Sequence, residues 1–194
     1  AIHEELDFIN EAANVRAFFK NNVGREGIKI PRVYNELSGR SVLTLEFIKG
    51  VKFSQLDFSK IDRKRLAERL LDHSFKQLFE DGLFHGDPHP GNFFVMEGDV
   101  LAPIDFGLVG RLTKPMQETL IILVLAVGLK DADSVARLLY KVGVPDSRAN
   151  LTGFRNDIEG ILTQYLPTTL GSISTRNLFR ELLDLAVKYR VRVP

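Results

Sequence analysis

The chain has 194 residues, 44% of them hydrophobic and 26% charged, which is enough for one sizeable core or for one lobe plus part of another. A net charge of +1 excludes the strong basic excess that a nucleic-acid partner asks for. The lack of cysteine excludes disulfides, thiolate metal sites and a cysteine nucleophile, and fits a reducing compartment.

From Leu6 to Asn21 the residues Phe8, Ala12, Val15 and Phe19 recur at helical spacing, and Gly24 and Gly27 follow as stop signals, which predicts a first helix. Its start is acidic, with Glu4, Glu5, Asp7 and Glu11 where a signal peptide needs basic and then apolar residues. For Glu4, dipole complementation with solvation and a role in a site are equally open; Glu11, two turns in, fits the first explanation poorly. Ile30 to Leu37 and Ser41 to Phe47 read as two strands joined through Ser38-Gly39, because SVLTLEF is β-branched and alternating. A break at Lys49-Gly50 ends the second.

A second helix is predicted from its N-cap Asp62, with Leu66, Leu70, His73, Phe75 and Leu78 on the buried side and an end near Gly82. Phe93 to Met96 and Val100 to Ile104 read as two short strands joined by Glu97-Gly98-Asp99. Asn92 and Asp105 then stand at opposite ends of one hairpin. From Pro115 the pattern is helical to the end, with breaks at Gly143 to Pro145, Pro167 and Gly171. The longest apolar run, Leu120 to Leu129, is far short of the roughly 20 residues that span a bilayer and predicts a buried core helix. Tyr34 and the phenylalanines outside the motifs are expected in the core.

The chemistry is carried by residues 85 to 107, HGDPHPGNFFVMEGDVLAPIDFG. His85, Asp87, an Asn five residues after that Asp, and the triplet Asp105-Phe106-Gly107 have the order and spacing of a kinase catalytic loop and its metal-binding aspartate. Phosphoryl transfer asks a protein to position a nucleotide and neutralise spreading charge, so a carboxylate and an amide able to hold magnesium are the minimum, and Asp105 and Asn92 supply them. Asp87 faces the acceptor hydroxyl, or a water, as base or as orienting group. The competing reading is that Asp87 and Asn92 only cap turns around Pro88 and Pro90. His85 is an acid or base, or a brace for the backbone near Asp105-Phe106-Gly107, and the loop context favours the brace. His89 could meet phosphate, metal or only backbone. The segment Glu46-Phe47-Ile48 falls where a kinase hinge offers backbone groups to adenine. Glu11 precedes the strands as the lysine-pairing glutamate of a kinase does.

Taken together, ELDFINEAANVRAFF, LTLEFIKG, HGDPHPGN and IDFG resemble the UbiB family of ADCK-like atypical kinases, tied to coenzyme Q and other isoprenoid-lipid metabolism, over nearly the whole chain. The resemblance implies an α+β, protein-kinase-like fold: a partial N-lobe over residues 1–48 and a mostly helical C-lobe over 49–194. It implies that Glu5-Leu6-Asp7 is the family's E-x-D motif, Glu11 its lysine-pairing glutamate, Asp87 the catalytic-loop aspartate, and Asn92 with Asp105 the metal ligands. ATP and Mg2+ are the implied cofactors. The implied partners are isoprenoid or quinone lipids, biosynthetic proteins and a membrane surface, with a location in the cytoplasm or at the cytoplasmic membrane. The family's K-x-G-Q extension, alanine-rich nucleotide loop and strand lysine are not in this sequence, so a fragment that by itself binds ATP weakly or not at all, and is inactive, is expected.

No Ala-Pro-Glu follows residue 107, which argues against ordinary phosphorylation of peptides and for a small-molecule, lipid-linked or ATPase role. Two other readings stay open: a small-molecule kinase resembling the aminoglycoside phosphotransferases, and a pseudokinase scaffold for biosynthetic partners.

Overall fold

The computed structural model describes residues 7–57, 59, 61–145, 150–165, 181–182, 184–185, 187–189 and 191–192. Contacts divide the chain into two units, Ala1–Lys114 and Pro115–Pro194, and the lobe junction expected at residue 48 falls inside the first.

The first unit opens with α1 (Phe8–Asn21), started by Asp7, whose side chain accepts from the Ile9 amide. α1 buries Ala12, Val15 and Phe18, while Phe8 and Phe19 are only half-buried, so the buried stripe lies one position from the expected one at its C-terminal end. The two strands expected between Ile30 and Phe47 are reduced to isolated bridges, Val33 with Leu45 and Gly39 with Val42. Pro31 has no amide to donate, and a 3-10 turn at Asn35–Leu37 takes Tyr34 out to 42% exposure, so no continuous ladder forms. The pairing survives as Tyr34 N–H to the Thr44 carbonyl and Glu46 N–H to the Arg32 carbonyl.

β1 (Val51–Lys52) leads to α2 (Arg63–Phe75), capped by Asp62, which accepts from the Arg65 amide. α2 buries Leu66 and His73; Phe75, expected on that face, is exposed, and a π-helical turn at Lys76–Asp81 buries Gln77 instead. Gly82 ends the turn in the left-handed region, at φ 64°. β2 (Leu83–His85) follows, then β3 (Phe93–Met96) and β4 (Val100–Pro103), an antiparallel hairpin turned by Gly98 and Asp99, both at positive φ. β1 pairs with β3 to complete a three-stranded sheet. β5 (Val109–Arg111) pairs with β2, placing Phe84 opposite Gly110, where a β-carbon would stand 2.1 Å from the Phe84 ring. Val15, Phe18, Ile28, Ile30, Leu66, Leu83, Phe93, Val95, Leu101 and Phe106 form this unit's core.

In the second unit, α3 (Lys114–Gly128), α4 (Ala132–Val142) and α5 (Leu151–Tyr165) supply a core of Ala126, Val135, Leu139, Phe154, Ile158 and Leu162. The run Leu120 to Leu129 is helical but not buried: Ile121, Ile122, Val124, Leu125 and Leu129 are exposed. A helix apolar on every side turns only one arc to a core, since its period is 3.6 residues, and here that arc centres on Leu123 and Ala126. β6 (Val144–Pro145) pairs with β7 (Val191–Arg192), so the chain's end is not wholly helical. Pro167 and Gly171 lie outside the described residues.

Candidate functional site

All the contacts of the site lie within the first unit. β2 carries the chain into the loop, and Gly86 N–H donates to the Leu108 carbonyl at 2.8 Å, tying the start of HGDPHPGN to the residue after Asp105-Phe106-Gly107. The His85 ring is buried between Phe93 and Phe106, with ring centroids 6.0 and 5.8 Å away, and its Nδ1 accepts from the Asp87 amide at 3.1 Å. Burial pulls the imidazole below its ordinary pKa, against the raising effect of the Asp105 charge, the Asp105 backbone and the Asp87 charge. Its Nε2 is buried without a hydrogen-bond partner. A neutral ring accepting at Nδ1 is a brace in its geometry.

Asp87 is exposed at the loop's surface. Asn92 ends a 3-10 turn at Pro90–Asn92 and turns Nδ2 to Asp87, 3.2 Å from the carbonyl and 3.5 Å from Oδ2. Its own carbonyl accepts from Ile104 N–H at 3.0 Å, which sets Asn92 beside the residue preceding Asp105. Asn92 thus touches Asp87 directly and stands across the hairpin from Ile104, one residue before Asp105. With Nδ2 given to Asp87, Oδ1 of Asn92 is the oxygen left for a cation. Asp105 is exposed and accepts from Gly107 N–H with Oδ1 at 3.0 Å, leaving Oδ2. Among the described residues no three His, Cys, Asp or Glu side chains gather into a metal cage. One carboxylate and one amide oxygen fit magnesium that keeps its waters and takes further oxygens from phosphates. His89 caps its own turn, its Nδ1 accepting from Gly91 N–H.

Phe106 is fully buried against Phe18, and α1 holds both its backbone N–H and its carbonyl. Glu11 Oε1 accepts from Phe106 N–H at 3.1 Å, and Asn14 Nδ2 donates to the Phe106 carbonyl at 3.0 Å. Residues 11 and 14 are neighbours on one helix face, so a single helix clamps the triplet. Burial raises the Glu11 pKa and the Asp105 charge adds to it, while the Phe106 N–H opposes both. The partly buried carboxylate therefore stands beside a second negative charge. Asn14 was not among the residues singled out from the sequence; its only sequence signal is the i, i+3 relation to Glu11.

The hinge segment lines a cleft of about 660 Å3, walled by Pro31, Leu45, Glu46, Ile48, Phe94 and Ile104. Glu46 N–H is given to Arg32, and its carboxylate is held below the usual range by Lys29, whose Nζ is 2.7 Å away. Neither the Glu46 amide nor its carboxylate is therefore free toward the cleft. Ile48 is buried. Asp7 is engaged as the α1 cap and lies 3.7 Å from Arg40, and its contacts do not reach Asp87, Asn92 or Asp105. Glu5 lies outside the described residues.

Hinge cleft, clamped triplet and loop-hairpin pairing together define a kinase-like class of α+β protein. Residues 1–139 match the model of the ABC1 atypical kinase-like domain, and the chain belongs to that family. It is 35% identical over 159 residues to the chloroplast protein ACTIVITY OF BC1 COMPLEX KINASE 8 of Arabidopsis thaliana, covering 79% of this chain and 21% of that one. It is 33% identical over 199 residues to "Probable protein kinase UbiB" of Pseudomonas entomophila, covering 99% and 37%. The chain thus spans well under half the length of both. Among solved structures, Rv3197 of Mycobacterium tuberculosis, determined with erythromycin, superposes with a TM-score of 0.63 at 24% identity, over 97% of this chain and 55% of that one.

Proposed function

We propose that this chain carries the catalytic loop and metal-binding residues of an ATP-using atypical kinase or ATPase that supports ubiquinone or related isoprenoid-lipid biosynthesis at a membrane surface. The observation that carries the reading is the contact set of Asp87, Asn92 and Ile104-Asp105, held by α1 through Phe106 and set at the end of the hinge cleft. A cleft of that volume suits a nucleoside. The Glu46 carbonyl and Ile48 N–H offer the acceptor and donor that an adenine edge needs. Ile104 lines the cleft next to Asp105, so a base lodged at the hinge has its phosphates toward Asp105.

When bound, magnesium neutralises phosphate charge, and the Asn92 Oδ1 and the Asp105 carboxylate would hold it. The Asp87 carboxylate takes the proton of the attacking hydroxyl or water, or orients it, as the bond to the γ-phosphorus forms and ADP departs. The peptide-anchoring Ala-Pro-Glu is missing from the sequence, which favours a small-molecule or water acceptor over a peptide. No described helix is long and apolar enough to cross a membrane, so the proposed lipid role uses a surface contact for this chain. The test is calorimetric titration of ATP into the full-length protein with and without magnesium. Magnesium-dependent binding that Asp105→Asn weakens at least tenfold is expected; equal binding by the variant contradicts the reading.

A further inference from the structure

Position 77 continues the buried stripe of α2, four residues after His73, where an apolar side chain is the ordinary tenant. It holds a glutamine that is 5% exposed. The turn that carries it, Lys76–Asp81, is π-helical, a form concentrated at functional sites. A buried amide loses its hydration and is tolerated where a specific partner replaces it. The partner is a backbone group of the loop: Gln77 Oε1 accepts from His85 N–H at 2.7 Å.

That N–H is the first link of a line of hydrogen bonds. His85 Nδ1 accepts from Asp87 N–H, the Asp87 carbonyl accepts from Asn92 Nδ2, and the Asn92 carbonyl accepts from Ile104 N–H, one residue before Asp105. β5 holds the other edge of β2 and does not supply this contact, since the neighbouring tie to that side runs from Gly86 N–H to Leu108. The depth at which His85 enters the loop is therefore set from the α2 side by one carboxamide oxygen.

We propose that Gln77 is a positioning residue of the phosphoryl-transfer site, holding the His85 backbone so that Asp87 meets Asn92 and Asp105 in register. This rests on the reading of Asp87 given above. Gln77 touches no reacting atom, and it acts through His85.

The test compares Gln77→Met, which keeps length and bulk but loses the strong acceptor, with Gln77→Glu, which keeps an oxygen there. In the full-length protein, Gln77→Met is expected to lower kcat for ATP hydrolysis about tenfold or more, with KM for ATP within about twofold; Gln77→Glu is expected to stay within about threefold of wild type. Amide hydrogen exchange is the readout independent of turnover. In Gln77→Met it is expected to quicken about tenfold or more over 85–92 and to stay unchanged over the hairpin 93–103. Wild-type kcat and exchange in Gln77→Met overturn the proposal. So do equal losses in both variants with exchange rising across the hairpin, which mark Gln77 as packing alone. If wild type and Asp87→Asn hydrolyse ATP equally, the functional reading fails, and the exchange data alone then decide whether Gln77 holds the loop. Gln77→Asn, too short to reach His85, replaces the Met variant if that does not fold.

Discussion

Glu11 and Asn14 hold the two backbone polar groups of one residue, Phe106, and the division of labour between them follows from charge. The Glu11 carboxylate accepts from Phe106 N–H while standing near Asp105, so it adds a negative charge beside the carboxylate proposed to hold magnesium. The neutral Asn14 donates to the Phe106 carbonyl and adds none. Asn14→Ala leaves that partly buried carbonyl unpaired, at a cost of about 1 to 3 kcal/mol. It is also expected to weaken magnesium-ATP binding, because the seat of Phe106 sets the neighbouring Asp105. Thermal melting with and without magnesium-ATP measures both effects, and a lower melting point with undiminished ligand stabilisation would confine Asn14 to folding. Glu11 was visible in the sequence as an acidic residue too far into its helix for a dipole role. Asn14 was not, because an asparagine in mid-helix is ordinary until the carbonyl it meets, 92 residues on, is known.

At the scale of elements, what could be read depended on whether a segment's partner was local. The β3–β4 hairpin was legible to within a residue, since Gly98-Asp99 fixes its turn and both strands are apolar. The segment from Ile30 to Phe47 was read as regular strands and is not, because Pro31 and the turn at Asn35–Leu37 interrupt its pairing. α2 is legible at its cap, Asp62, and in the stop at Gly82, but not in the burial of its last turns, where the π-turn exchanges Phe75 for Gln77 in the interior.

The same helix carries a pH response. Burial holds the His73 pKa at about 4, with Arg25, Lys76 and His85 pushing the same way, so the folded state keeps this imidazole neutral. The unfolded chain takes up a proton near pH ~6.5 and the folded one does not, so stability is complete above that pH and falls as the pH drops toward 4. The loss from this residue is on the order of 3 kcal/mol. His73→Leu should flatten that limb in chemical denaturation between neutral and mildly acidic pH; an unchanged limb would place the response elsewhere. Gly50 makes a second prediction. A β-carbon there would stand 2.8 Å from the Val95 carbonyl oxygen, so Gly50→Ala must push the hinge off β3. A fall in ATP affinity of about tenfold, or about 1.4 kcal/mol, is expected by titration, with the fold retained by circular dichroism.

For the whole molecule, the kinase-like class and the family were legible because the loop, the triplet and the hinge wording fall in one order along the chain. The second unit was legible as helices and not as burial. Leu120 to Leu129 reads as interior by composition alone, and the apolar face that it shows has no counterpart in the sequence pattern. The proposed phosphoryl-transfer site of Asp87, Asn92 and Asp105 lies wholly in the first unit. The most direct measurement is γ-phosphate release from magnesium-ATP by the full-length protein, wild type against Asp87→Asn, at saturating nucleotide. A loss of about 10^2 to 10^4 in rate with binding retained is expected. An unchanged rate in the variant would contradict it.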